Sequence, residues 1–312
     1  MKQELQTGIR RAPKRQAPGQ RRIVSLLPAA TEMVYALGLD GQLAGVTHEC
    51  DYPAAARNKP VLVRPAVALE GRSPGEIDRS VSQRLRSGAS LYEMDEKLFA
   101  DLAPDLVLTQ NLCQVCAPSG NELARLLQSI APEPEILWMS PSSLAGIEQN
   151  IRSLGEATDR LEKAESLIAS GRARLEQIAA QTRQLARQPR VFFMEWIEPI
   201  YCAGHWVGEM IELAGGHDSF GRKGSESVRI EWPDLLAWAP EVLVLAPCGF
   251  NAQTALAQAS LLSRLPGWTG LPAVRQGRVY AVDANSYFAR PGPRVIEGTE
   301  LLAHLIHPGL FD

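Results

Sequence analysis

No run of apolar residues in this 312-residue chain approaches the roughly 18 needed to cross a bilayer, so no membrane span is predicted. Charge of one sign is lacking too. With 32 basic and 35 acidic residues the formal net charge is -3, which gives no reason to expect nucleic acid or an anionic membrane as partner. A phosphate-binding loop is missing: Gly215-Gly216 has no such context and no Walker-type lysine follows. Ser25 and Ser286 lack the glycines of a nucleophile elbow. Glu49, Asp51, Glu195 and Glu231 offer carboxylates, but no pattern divides acid from base roles among them. The expectation is a non-catalytic protein with no catalytic residue. An export signal is also hard to find. After Arg22 the apolar run is only Ile23 to Leu27, closed by Pro28 and Glu32, and Arg10-Arg11 precedes no apolar segment. The sequence as written therefore predicts a cytoplasmic protein, periplasmic or cell-surface only if its start is misassigned.

What the chain does have is repetition. Ala103-Pro104-Asp105-Leu106-Val107-Leu108 returns as Ala239-Pro240-Glu241-Val242-Leu243-Val244, each after a short amphipathic run. Both copies read as a short helix, a proline break and a buried strand. Upstream, Arg22-Ile23-Val24-Ser25 and Arg190-Val191-Phe192-Phe193 each open a strand that leads on to a helix. The predicted fold class is α/β: two similar lobes with mostly parallel sheets flanked by helices, joined by one long interlobe helix, with a ligand cleft between the lobes. Residues 1–21, with six Lys and Arg among Gln, Pro and Gly, read as a disordered basic tail. The N-terminal lobe is placed at 22–158, the interlobe helix at 159–188 and the C-terminal lobe at 189–312.

Strands are expected at 23–27, 43–47, 106–110, 136–139, 191–194, 200–202, 242–245 and 279–282. Helices are expected at 31–37, 121–129, 144–155, 161–186 and 294–305. The stretch from His48 to about Gly88 reads as irregular. The long helix would span roughly 40 Å and end before Pro189. Ligands of open parallel sheets bind outside the carboxyl ends of the strands. The segments there supply Pro28, Thr31, His48, Tyr52, Gln110, Asn111, Glu195, Trp196, His205, Trp206 and Tyr287 as candidate ligand-binding residues. Tyr92 and Trp232 lie in neighbouring loops, and Arg290 is suited to an anionic ligand group. Flat aromatic walls in this number point to a broad ligand, against packing as the other reading of each ring.

The segment Ile23-Val24-Ser25-Leu26-Leu27-Pro28-Ala29-Ala30-Thr31-Glu32, the phrase Pro104-Asp105-Leu106-Val107 and the C-terminal Gly277-Arg278-Val279-Tyr280 carry a resemblance. In order and spacing they resemble solute-binding proteins of the cobalamin and iron-siderophore importers, with the opening segment closest to the cobalamin-binding branch. The likeness runs from about Arg21 to Pro308. It implies two lobes joined by a stiff helix with little hinge closure, and a chelated-metal ligand, cobalamin or a related corrinoid, held between them. It also implies an ABC permease as partner if the chain is exported. Members that dock on importers carry one exposed acidic residue per lobe; the matching positions hold Lys97 and Pro233, beside Glu96 and Asp234.

Five cysteines add a second reading. Cys113-Gln114-Val115-Cys116 is a C-x-x-C pair, and Cys50, with His48 beside it, lies just past a predicted strand. Thiolates and imidazole in this zone suit a thiolate-bound metal, an iron–sulfur cluster or an open cobalt position, so Cys50, Cys113, Cys116 and His48 are candidate metal ligands. Cys113 and Cys116 are equally a candidate redox pair. Cys202 and Cys248 read as small buried hydrophobes. His217-Asp218 reads as a loop, and His304 and His307 as exposed. The alternative function is thus a cytosolic metal or redox protein, or an enzyme, using a cysteine-rich site in the same cleft.

Overall fold

A computed structural model describes residues 21–68, 71–111, 127 and 132–311. The expected tail apart from Arg21, the helix at 121–129 apart from Leu127, and Cys113 and Cys116 lie outside the described residues. The chain forms two compact units. The first takes in the described residues of Met1–Leu69, Val81–Ser140 and Glu148–Leu167; the second, those of Glu70–Ser80, Pro141–Ile147 and Ile168–Asp312.

In the first unit a six-stranded sheet is built from β1 (Ile23–Ser25), β2 (Leu43–Thr47), β3 (Val61–Pro65), β4 (Tyr92–Met94), β5 (Leu106–Thr109) and β6 (Glu135–Trp138). Its order is β4-β3-β2-β1-β5-β6, and only β4 runs antiparallel to its neighbour. Val24, Leu26, Leu62, Val63, Phe99 and Val107 form its core. Helix α1 (Pro28–Ala36) follows β1 directly. It starts three residues before the predicted Thr31, because Pro28 sits at its first turn with φ already set for a helix. The stretch after His48 is not irregular: it holds β3, α2 (Pro74–Arg86) and β4. The start of α2 is a capping box, with Ser73 N–H donating to Glu76 Oε2 at 2.8 Å and Glu76 N–H reaching Ser73 Oγ at 3.4 Å.

Two helices follow β6: α4 (Leu144–Ala157) and α5 (Leu161–Thr182), after α3 (Glu96–Leu102) earlier in the chain. The division between the units falls inside α5, between Leu167 and Ile168. At 22 residues α5 is about 33 Å long, shorter than expected. Its end tightens into i→i+3 bonds, Gln184 N–H to Gln181 O and Leu185 N–H to Thr182 O, well before Pro189.

The second unit holds a three-stranded parallel sheet, β11-β10-β7, from β7 (Val191–Met194), β10 (Val242–Leu245) and β11 (Val279–Ala281). A small pair, β8 (Gly204–His205) and β9 (Arg222–Lys223), lies beside it. The strand predicted at 200–202 is present only as isolated bridges from Tyr201 to Trp196 and Arg229. Helices α6 (Val207–Leu213), α7 (Trp232–Trp238), α8 (Ala252–Leu262), α9 (Pro272–Arg275), α10 (Ala284–Tyr287) and α11 (Val295–Ile306) complete it. Phe192, Met194, Leu235, Leu243, Leu245 and Leu262 centre the core.

The sequence repeat is a structural repeat. Helices α3 and α7 each have seven residues and end on an alanine in the left-handed region, Ala103 at φ 41° and Ala239 at φ 53°. A proline follows, then an acid that clasps the start of the neighbouring strand. Arg22 N–H donates to Asp105 Oδ2 at 2.9 Å, and Arg190 N–H to Glu241 Oε2 at 3.0 Å. Each arginine also forms an ion pair with its acid. The clasped pairs set the register, Ile23 opposite Leu106 and Val191 opposite Val242.

Left-handed backbone costs an L-residue about 1–2 kcal/mol that glycine avoids. Ala103→Gly and Ala239→Gly are each expected to stabilise the chain by about 0.5–1 kcal/mol, read as a higher urea midpoint; a lower midpoint would contradict this account of the caps. A second prediction concerns Asp218, whose carboxylate is buried although its residue is half-exposed. Burial pushes its pKa up to about 6 from 3.8, against backbone N–H bonds from Phe220, Gly221 and Phe193. Its Oδ2 has no hydrogen-bond partner. A raised carboxyl pKa gives stability that is present below the unfolded value and lost as pH rises through the folded one. That loss is on the order of 2–3 kcal/mol. Asp218→Asn keeps an Oδ1 acceptor for Phe220 and Gly221 and should flatten the stability profile between about pH 4 and 6. A slope kept in that variant would assign the loss to another group.

Candidate functional site

The carboxyl ends of the first unit's parallel strands carry most of the expected residues there. His48 follows β2, Gln110 follows β5, and Pro28 follows β1. Tyr92 opens β4 opposite Pro65, which places it at the same edge as the end of β3. His48 is anchored by its own backbone, whose N–H donates to Val63 O at 3.0 Å. Its ring Nδ1 lies 3.1 Å from the same carbonyl. A carbonyl only accepts, so this contact requires the proton on Nδ1, and in the neutral ring Nε2 then carries the lone pair. Nε2 stands 3.8 Å from the Glu49 carboxylate, beyond hydrogen-bond length, and the side chain is 26% exposed. The Tyr92 ring is 6.5 Å away at a 50° tilt. Tyr52 is 48% exposed on the following loop. Asn111 is exposed and its N–H donates to Ser140 Oγ at 2.8 Å.

Other expected contacts are built into the interior. Thr31 is fully buried, its Oγ1 2.9 Å from Ser25 Oγ and 3.0 Å from Cys50 Sγ. Cys50 is buried between that hydroxyl and Thr47 Oγ1 at 3.3 Å. Pro28 and Gln110 are buried as well. Among the described residues no group of three or more His, Cys, Asp and Glu is placed to hold a metal ion.

The second unit gathers its own edge. Cys248 N–H donates to Glu195 O at 3.0 Å, which ties the loop after β10 to the end of β7. Glu195 is half-buried and its Oε1 accepts from Gly204 N–H at 3.1 Å. The half-buried Trp196 donates Nε1–H to Glu198 O at 3.0 Å and meets Phe250 edge-on at 5.6 Å. Phe250 was not foreseen; its signal was its place directly after Pro247-Cys248-Gly249 at the end of β10. His205 is half-buried with φ 52°, and burial lowers its pKa against the pull of Glu226. Tyr287 ends α10, with the Arg294 guanidinium 5.9 Å from its ring centre. Arg290 is 9% exposed.

Two tryptophans are packing residues. Trp206 is buried and donates its indole N–H to Phe288 O at 3.0 Å. Trp232 donates to Pro266 O at 2.8 Å, stacks on Trp268 and lies against the core. Cys202 is buried as expected, and burial raises its thiol pKa. Cys248 is exposed rather than buried, because the turn at Gly249 lifts it off the sheet. His304 is exposed, but His307 is half-buried, its Nε2 3.1 Å from Gly215 O.

A family model for periplasmic binding proteins matches residues 23–286. A Bacillus subtilis relative, the uncharacterized ABC transporter substrate-binding lipoprotein YvrC, is 26% identical over 93% of this chain and 81% of its own. The vitamin B12-binding protein of Vibrio parahaemolyticus is 26% identical over 88% of this chain and 85% of its own. Among solved structures, the apo periplasmic heme-binding protein RhuT from Roseiflexus is 24% identical, with a TM-score of 0.69 over 94% of this chain and 99% of that one. The two-lobed α/β fold of such binding proteins is thereby shown, and their non-catalytic character agrees with the expectation of no enzyme. The expectation of a cytoplasmic protein is overturned, since the matching family is that of periplasmic binding proteins and the Bacillus subtilis relative is named a lipoprotein. The short apolar run after Arg22, on which that expectation rested, is β1 and the start of α1. With 264 of its 312 residues inside the matched span, the chain belongs to the periplasmic binding protein family.

Proposed function

We propose that this chain is the solute-binding component of an ABC importer, works outside the cytoplasmic membrane and takes a metal chelate, a corrinoid in the first place. The name of the B12-binding relative supports the corrinoid; the heme-binding structural neighbour makes a porphyrin chelate the second candidate. The observation that carries the reading is His48. Its Nδ1 proton is committed to a backbone carbonyl, which is how proteins orient a histidine toward a metal. Its Nε2 lone pair is then suited to an open axial position of the chelated metal. Tyr52, Tyr92, Trp196 and Tyr287 are assigned to the apolar faces of the macrocycle, and Arg290 to an anionic substituent. The thiolate reading draws no support from Cys50, whose sulfur is engaged by two hydroxyls. The permease is the proposed protein partner. Glu96 and Asp234 are both exposed and lie in the first turns of the repeated helices α3 and α7.

An anaerobic titration with cobinamide, cyanocobalamin and haemin tests the ligand. The expected result is saturable binding at micromolar concentration or tighter, with tryptophan quenching and a shifted cobinamide absorbance. His48→Ala should abolish the absorbance shift and weaken binding about tenfold, roughly 1.4 kcal/mol. No response to any of the three would overturn the reading. For the partner, Glu96→Arg with Asp234→Arg should leave ligand affinity unchanged and abolish stimulation of the importer's ATPase in vesicles. Unchanged stimulation would remove those residues from docking.

A further inference from the structure

The second unit has an open pocket of about 600 Å³ at the end of its sheet opposite Glu195 and Cys248. Arg278 precedes β11, and Arg187 and Pro189 precede β7, so the pocket lies at the amino ends of the strands. Leu185, Pro189, Ile306 and Leu310 give it apolar walls, and Leu310 is 39% exposed.

Its charge is unbalanced. Arg278 Nη2 donates to Leu305 O at 3.3 Å and Ile306 O at 2.6 Å, which fixes the guanidinium against the end of α11. Its Nε is buried without a hydrogen-bond partner. Among the described residues no carboxylate is paired with Arg278. The acid at this edge, Glu241, is already shared by Arg187 at 2.8 Å and Arg190 at 3.8 Å. Two guanidinium groups therefore share one carboxylate. A half-buried guanidinium with a shielded, unpartnered Nε–H and no counter-charge favours an incoming anion. Burial, and to a lesser degree Arg278, lower the pKa of His307 on the pocket wall against its bond to the Gly215 carbonyl.

We infer that this pocket is a second ligand site, separate from the carboxyl-end residues, and that it takes a small organic carboxylate with an apolar body. The carboxylate meets Arg278 and Arg187, and the body lies on Leu185, Ile306 and Leu310.

The test uses hexanoate on the full chain, followed by the arginine Nε–H signals in a ¹H–¹⁵N spectrum. Saturable shifts at millimolar hexanoate, confined to a few arginine signals, are expected. Hexanamide should bind at least fivefold more weakly, and so should inorganic phosphate, which lacks the apolar body. Arg187→Gln, at an exposed side chain, should weaken hexanoate at least threefold while the chain stays folded; Arg278→Gln should remove the largest shift, and if it does not fold the Arg187 variant and the wild-type spectra decide. Absence of saturation, or equal binding of hexanamide or phosphate, would overturn the site.

Discussion

The structure turns on a carboxylate placed at the start of a strand. Asp105 and Glu241 each take the backbone N–H of the residue just before the neighbouring strand, and each pairs with that residue's guanidinium. Both acids are largely buried, with side-chain exposures of 7% and 11%. Burial alone would push Glu241 up, but the Arg190 N–H and the Arg187 guanidinium outweigh it and hold its pKa below the usual carboxylate range. A charged acceptor shielded from water makes one of the stronger hydrogen bonds available to a chain. Placed at the first residue of a parallel pair, it excludes a slip in register, and a slip of one residue would turn every side chain to the other face.

Register at the amino ends decides what emerges at the carboxyl ends. With Ile23 held opposite Leu106, the strands of the first unit release His48, Gln110 and Pro28 at one edge. With Val191 held opposite Val242, the second unit releases Glu195 and Cys248 close enough to share a backbone hydrogen bond. The same device thus serves two separate edges, one carrying His48 and Tyr92, the other Glu195, Trp196 and Phe250. The rest of each unit is apolar packing that keeps those strands in place.

Much of this was readable because it is local. The repeat gave both copies of short helix, proline break and buried strand, which are adjacent in the chain; the clasps themselves, from Asp105 to Arg22 and from Glu241 to Arg190, join residues 83 and 51 positions apart. The strands at 43–47, 191–194 and 242–245 are long apolar runs bounded by turns, and they sit where the pattern put them. What escaped depended on partners far away in sequence. The segment from Val61 to Arg86 has a weak apolar signal, and its β3 exists because β2 and β4 flank it. Trp206 and Trp232 looked like ligand walls because an indole in a strand-end loop is ambiguous; Phe288 and Pro266, which receive their N–H groups, are 82 and 34 residues away. Thr31 and Cys50 face each other inside the first unit for the same reason. The localisation failed differently: it rested on what the sequence lacks, and relatives across nearly the whole chain spoke against it.

The central claim is that the chelated metal sits at the carboxyl edge of the first unit's sheet, on the imidazole that Val63 orients. Anomalous diffraction at the cobalt edge from crystals grown with cobinamide tests it most directly. The account predicts a single strong peak within coordination distance of His48 Nε2, with Nδ1 still on the Val63 carbonyl. A peak away from His48, or a corrinoid bound only at the amino-end pocket, would contradict it.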